Sequence, residues 1–141
     1  MKFTKQEKQK IKKAGMKYDL KLILLHGSYA TGRAKPESDL DIAFLGKNPI
    51  DFKTSLNIYS DMADIFGDYF DRELDIKSLH KVDPLFCYQV ARYSKLLYGS
   101  LLDYNEFRAY AFRLYHDAKD LFRLEDLLIS KYQDHLNKRY A

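Results

Sequence analysis

The chain has 141 residues, the size of one ordinary domain, and 46% of them are hydrophobic, enough to bury a core. Its one cysteine, Cys87, excludes an internal disulfide and any cysteine-based zinc cluster. Net charge is +4, and basic residues crowd the start as Lys2, Lys5, Lys8, Lys10, Lys12, Lys13, Lys17 and Lys21. No aromatic interleaving or nucleic-acid motif accompanies them, so they read as a solvated helix face and nucleic acid is not the expected partner. The longest early apolar run, residues 22–25, is too short for a secretory signal, and no stretch is long enough to cross a bilayer. The expectation is a cytoplasmic protein folded as a single domain over residues 1–141.

Thr4 and Glu7 form a Thr-x-x-Glu capping box for a first helix, with Gly15 as its expected stop. Residues 20–26 read as a strand that ends abruptly at Gly27-Ser28. A helical turn follows from Ser28 to Thr31, closed by Gly32, and then the polar loop Lys35-Pro36-Glu37-Ser38. A second strand is expected from about Asp39 to Leu45. Asp51 is placed to cap a helix whose apolar positions would be Phe52, Leu56, Tyr59, Met62, Ala63 and Phe66, ending at Gly67. A third strand is expected from Arg72 to Leu79, with Leu74 and Ile76 on one face and Glu73, Asp75 and Lys77 on the other.

Asp83-Pro84 is a cap followed by a first-turn proline, for a helix through Tyr93. Residues 95–98 suit a short fourth strand. Asp103 and Glu106 are expected to cap a C-terminal helical segment over about 103–138, a stretch without Gly or Pro. Its apolar stripe is Phe107, Ala111, Leu114, Ala118, Leu121, Leu124 and Leu128. Continuous, such a segment would reach roughly 50 Å at ~1.5 Å per residue. It must therefore either break and pack on its own sheet, or overhang and require a partner in a homo- or hetero-oligomer. Tyrosines near it (Tyr110, Tyr115, Tyr132) suit such a surface.

The chemistry concentrates between residues 22 and 44. Asp39 and Asp41 flank Leu40 in a strand, so their carboxylates point to one side. Paired carboxylates repel, and a hard cation such as Mg²⁺ is the simplest reason to set them together. A third carboxylate from a neighbouring strand would complete a two-metal arrangement: Asp75, with Glu73 as fallback. One ion would grip a triphosphate and the other would activate an attacking hydroxyl, with Asp75 as base or orienter. Gly27 and Ser28, at a strand-to-helix junction, suit phosphate binding through free N–H groups and a hydroxyl. His26 abuts them and reads as a structural ring. No Gly-Lys-Ser/Thr follows, so this is not a P-loop, and Ser28 lacks the context of a hydrolase triad.

Gly27-Ser28, a ten-residue gap and Asp39-Leu40-Asp41 resemble the minimal nucleotidyltransferase (MNT) family of the polymerase β superfamily. The resemblance implies an α/β (α+β) fold: a small mixed β-sheet flanked by helices, here with a long C-terminal helical segment. It implies Mg²⁺ and ATP, catalytic and metal-binding roles for Asp39, Asp41 and Asp75, and nucleotide contacts from Gly27, Ser28, Arg33, Lys35 and Ser38. Tyr29 and Thr31 stand where the family often has basic residues, which leaves Arg33 and Lys35 to supply that charge. Small members are often antitoxins of HEPN-domain ribonuclease toxins, and attach AMP to a toxin tyrosine. The toxin's own signature, Arg-x(4–6)-His-x-Tyr, is missing here, so the chain resembles the antitoxin half. Two alternatives stand beside this: a small-molecule, aminoglycoside-type nucleotidyltransferase, and a non-catalytic antitoxin that neutralises its partner by binding.

Overall fold

A computed structural model describes residues 2–67 and 73–140. Its elements run α1 (Lys5–Lys17), β1 (Leu20–His26), α2 (Ser28–Thr31), β2 (Leu40–Gly46), α3 (Phe52–Phe66), β3 (Leu74–Ser78), α4 (Pro84–Arg92), β4 (Lys95–Tyr98) and α5 (Leu101–Tyr140). The four strands form one sheet in the order β3-β2-β1-β4. β1 is antiparallel to both of its neighbours, whereas β2 and β3 are parallel. This is the expected mixed sheet flanked by helices.

Alternation along the two central strands builds a core on each face. Leu20, Ile23, Leu25, Leu40, Ile42 and Phe44 pack with Ile11 of α1 and Ile58, Met62 and Phe66 of α3. On the other face Leu22, Leu24 and Ala43 meet Cys87, Val90 and Ala91 of α4 and Tyr104, Phe107 and Ala111 of α5. Cys87 is buried there as a thiol. Edge strand β4 borders a cleft of about 1060 Å³ lined by Lys8, Lys12, Lys21, Lys47 and Lys95. Lysines along a free strand edge discourage pairing with another chain, which gives part of the N-terminal charge a structural purpose.

Several local readings hold. Thr4 Oγ1 accepts from the Glu7 N–H and Glu7 Oε2 from the Thr4 N–H, each at 3.2 Å, closing the capping box. Asp51 and Asp83 cap α3 and α4, and Gly67 ends α3 with a left-handed φ of 75°. The expected start of the third strand at Arg72 lies outside the described residues.

Three readings are corrected. Gly15 does not stop α1, which runs on to Lys17. A Cβ there would sit 2.5 Å from the Tyr98 ring, so this glycine serves close helix-to-strand packing. The left-handed residue after the helix is Asp19, with φ 51°. The inward face of α3 is Ile58, Met62 and Phe66, while Phe52, Leu56 and Tyr59 are exposed; the aromatic residues pulled the predicted stripe off the packed face. α5 starts at Leu101, and its cap is Ser100, whose Oγ accepts from the Asp103 N–H at 3.0 Å. Of the two alternatives left open for the C-terminal segment, the continuous one is found: α5 is unbroken over 40 residues, about 60 Å at 1.5 Å per residue. It buries only Tyr104, Phe107 and Ala111, so the lower part of the predicted stripe overhangs.

Gly15→Ala would ordinarily favour a helix, but here it must displace the Tyr98 ring. We expect a loss of ~1–3 kcal/mol in urea unfolding, the usual cost of overpacking. A smaller loss from the same change in a Tyr98→Ala background would confirm the contact; equal losses in both backgrounds would exclude it.

Candidate active site

Register brings the carboxylates together. In the parallel pair β2–β3, Leu40 faces Leu74, Asp41 faces Asp75 and Ile42 faces Ile76. The leucines and isoleucines turn into one core, so Asp41 and Asp75 emerge together on the opposite face. That is the face on which α4 packs, and both residues lie second in their strands. Asp39, exposed and just ahead of β2, lies close enough for its charge to act on Asp41. Glu73 precedes β3 and is not registered with Asp41, whereas Asp75 is.

Asp41 is half-buried and pushed up to about 6, first by desolvation, then by the charges of Asp75 and Asp39, and by a side-chain hydrogen bond with Asp75. Lys77 acts in the opposite sense. Its Nζ lies 3.5 Å from Asp75 Oδ2 and 5.1 Å from the centre of the Phe86 ring. Sequence reasoning put Lys77 on the right face without giving it a role; its two-residue spacing from Asp75 was the available signal.

β1 supplies the floor and rim. His26 pairs with Asp41 across the sheet. Its ring is buried, edge-on to Phe86 at 5.8 Å, and Nε2 has no hydrogen-bond partner. Burial lowers its pKa to about 4, so the imidazole is neutral beneath the carboxylates. Gly27 has φ 70°, and a Cβ there would strike Asp41 Oδ2. Only glycine lets the backbone approach the carboxylate so closely. Gly27 also caps α2 without a side-chain hydrogen bond, and its carbonyl accepts from the Ala30 and Thr31 N–H groups.

The remaining predicted residues lie on α2 and on the loop that leads into β2. Ser28 opens α2, and the Arg33 N–H donates to its carbonyl at 3.0 Å, closing the turn. Arg33 and Lys35 are exposed. Ser38 Oγ accepts from the Lys35 N–H at 2.8 Å, while the Ser38 N–H returns to the Lys35 carbonyl. Ser38 thereby shapes the loop and keeps its own hydroxyl proton to donate. The Thr31 hydroxyl folds back onto the Gly27 and Ser28 carbonyls, so it steadies the turn in place of a basic residue.

Among the described residues, no three His, Cys, Asp or Glu side chains form a ready-made metal cluster. The donor set nevertheless fits Mg²⁺, which is held by one or two carboxylates with the remaining positions left to water and substrate phosphates. An Asp41 carboxyl pushed toward its protonated form by burial and then by two acidic neighbours is a group that a cation would relieve.

A mixed sheet that sets Gly-Ser at the head of a turn beside an Asp-x-Asp strand and a third aspartate is the architecture of a nucleotidyltransferase. The chain belongs to the polymerase beta nucleotidyltransferase family, whose model matches residues 9–101. It is 33% identical over 85 residues to the protein adenylyltransferase MntA of Shewanella oneidensis (strain MR-1), covering 60% of this chain and 58% of that protein. The match thus spans under two thirds of that relative's length. Among solved structures it resembles a chain of a toxin–antitoxin complex with AMP-PNP, at TM-score 0.68 and 26% identity, covering 86% of this chain and 98% of that one. It also shares the fold of a chain in a complex of the tri-AMPylated HEPN toxin of Shewanella oneidensis with MNT antitoxin, at TM-score 0.64 and 24% identity, covering 88% and 97%.

Two buried titrations oppose each other here. The His26 pKa is lowered to about 4 from its ordinary 6.5, so as pH falls below 6.5 the unfolded chain takes up a proton that the folded one refuses. Stability drops, by about 2 kcal/mol by pH 5. Asp41 is raised to about 6 from its ordinary 3.8, so the folded chain takes up the proton first and gains stability as pH falls through 6. In metal-free urea unfolding at pH 7 and pH 5, His26→Phe should therefore gain stability on acidification and Asp41→Asn should lose it. Identical slopes for the two variants and the parent would rule out this account.

Proposed function

We propose that the chain transfers AMP from ATP to a tyrosine of a HEPN-domain toxin and acts as that toxin's antitoxin. The observation that carries the reading is the Asp41–Asp75 pair with Asp39 beside it, set against the Gly27-Ser28 turn. The similarity to an adenylyltransferase and to a chain of a toxin–antitoxin complex with an ATP analogue supports it.

Asp39, Asp41 and Asp75 would hold Mg²⁺. When bound, the ion neutralises phosphate charge and steadies the leaving pyrophosphate. The turn at Gly27-Ser28 binds the triphosphate through backbone N–H groups and the Ser28 hydroxyl, and the exposed Arg33 and Lys35 add charge from the rim. The acceptor oxygen attacks the α-phosphorus, the bond to the β-phosphate oxygen breaks, and pyrophosphate departs. Asp75 stands at the acceptor side as base or orienter for that hydroxyl, and the ion pair with Lys77 at 3.5 Å holds it in place. Neutral His26 adds no competing charge below.

The first test is mass. The chain with Mg²⁺, ATP and the toxin should add multiples of the AMP mass to the toxin, and Asp75→Ala should abolish the addition while the complex still forms. Full neutralisation by that variant with no mass added at all would replace catalysis with inhibition by contact. A second test concerns the ion. Asp41→Asn removes like-charge repulsion at nearly constant volume. It should melt above the parent in EDTA at pH 8 and lose the parent's gain in Tm with Mg²⁺-ATP. An undiminished gain would remove Asp41 from the ligand set.

A further inference from the structure

Beyond Ala118 the long helix α5 touches neither core, and from residue 121 to 135 every position is exposed. This overhang is not uniformly polar. Leu121 is 63% exposed, Leu128 59% and Tyr132 64%. They belong to one continuous face that runs for about 22 Å along the helix.

The positions on that face are symmetric about the peptide between Leu128 and Ile129. Leu121 mirrors Leu136, Leu124 mirrors Gln133, Glu125 mirrors Tyr132 and Leu128 mirrors Ile129. A two-fold interface requires this, because the same patch must meet itself in reverse. The charges agree. Residues 117–126 carry four acids (Asp117, Asp120, Glu125, Asp126) against Lys119 and Arg123. Residues 130–140 carry Lys131, Lys138 and Arg139 against Asp134 alone. Antiparallel pairing lays the acidic half of one helix along the basic half of the other, whereas parallel pairing sets like on like.

We infer that the distal half of α5 is a self-association surface, and that two copies of this chain pair through it as an antiparallel helical dimer with its two-fold axis at Leu128–Ile129. The inference is independent of the proposed catalysis, since the face contains none of the site residues.

Sedimentation equilibrium on the intact chain, from low micromolar to several hundred micromolar, tests it. The weight-average mass should climb toward twice 16.7 kDa. Leu128→Asp and Ile129→Asp place like charges at the axis and should each hold the chain monomeric with an unchanged circular dichroism spectrum. Leu127→Asp, equally exposed but off the face, should still dimerise. Orientation is read with Leu121→Cys and Leu136→Cys, since buried Cys87 does not compete. Mildly oxidised mixtures of the two should yield crosslinked dimers containing one of each. Crosslinking of either variant with itself would indicate parallel helices and overturn the arrangement. A chain monomeric throughout the range, or a dimer indifferent to Leu128→Asp, would overturn the interface. So would a face that binds only when toxin is added.

Discussion

Two like charges are held face to face by the sheet itself. Asp41 and Asp75 have no choice of distance, because Leu40 against Leu74 and Ile42 against Ile76 fix the register of β2 and β3 from inside the core. Slipping β2 by one residue would turn the buried Leu40 and Ile42 outward, so burial outweighs the repulsion. The molecule relieves that repulsion only in part. Lys77 stands by Asp75, and Asp41 moves toward its neutral form. A cation held there would relieve the rest, and it would be positioned by the whole sheet instead of by flexible loops.

The surroundings follow from the same constraint. Gly27 must lack a Cβ because Asp41 occupies that space. His26 must be neutral because it is buried beneath Lys77 and Phe86 with no acceptor for a second proton. Phe86 lies in the first turn of α4, so the Asp83 cap and Pro84, which fix where that helix starts, also fix one wall of the site. Local capping chemistry thus reaches the active centre through one aromatic ring.

Local signals were the legible part of the sequence. The capping box at Thr4, the caps at Asp51 and Asp83, the stop at Gly67 and the alternation around Asp41 each rest on residues a few positions apart. The carboxylate pair was legible for the same reason, since strand periodicity places Asp75 and Lys77 on one face. What failed depended on distant contacts. Gly15 reads as a stop until Tyr98, over eighty positions later, is known to lie against it. The exposed Phe52 and Tyr59 look like core residues until α3 is rotated by its actual neighbours. The Ser100 cap is a local exception: it reaches only to Asp103, and Asp103 with Glu106 offers a competing capping pattern one turn further on.

Helix α5 serves the fold with only its first third. Tyr104 donates from its hydroxyl to the Ser94 carbonyl at 3.0 Å, and with Phe107 and Ala111 it pins the helix across α4. Tyr115 stacks on Tyr88 of α4 at 4.4 Å, but beyond Ala118 the backbone stays helical without tertiary help, and ordinary helix formers with no Gly or Pro allow it. An isolated helical extension is only marginally stable in water, and scattered polar residues would serve it better than leucine. The leucines at 121, 124 and 128 therefore cannot be explained by the packing of this chain on itself, nor by helix propensity, which many polar residues share. They cost solubility where they stand, and only a contact outside the fold offsets that cost. The division is physical: the sheet sets the chemistry, the anchor of α5 completes one core, and the overhang is left to face something else.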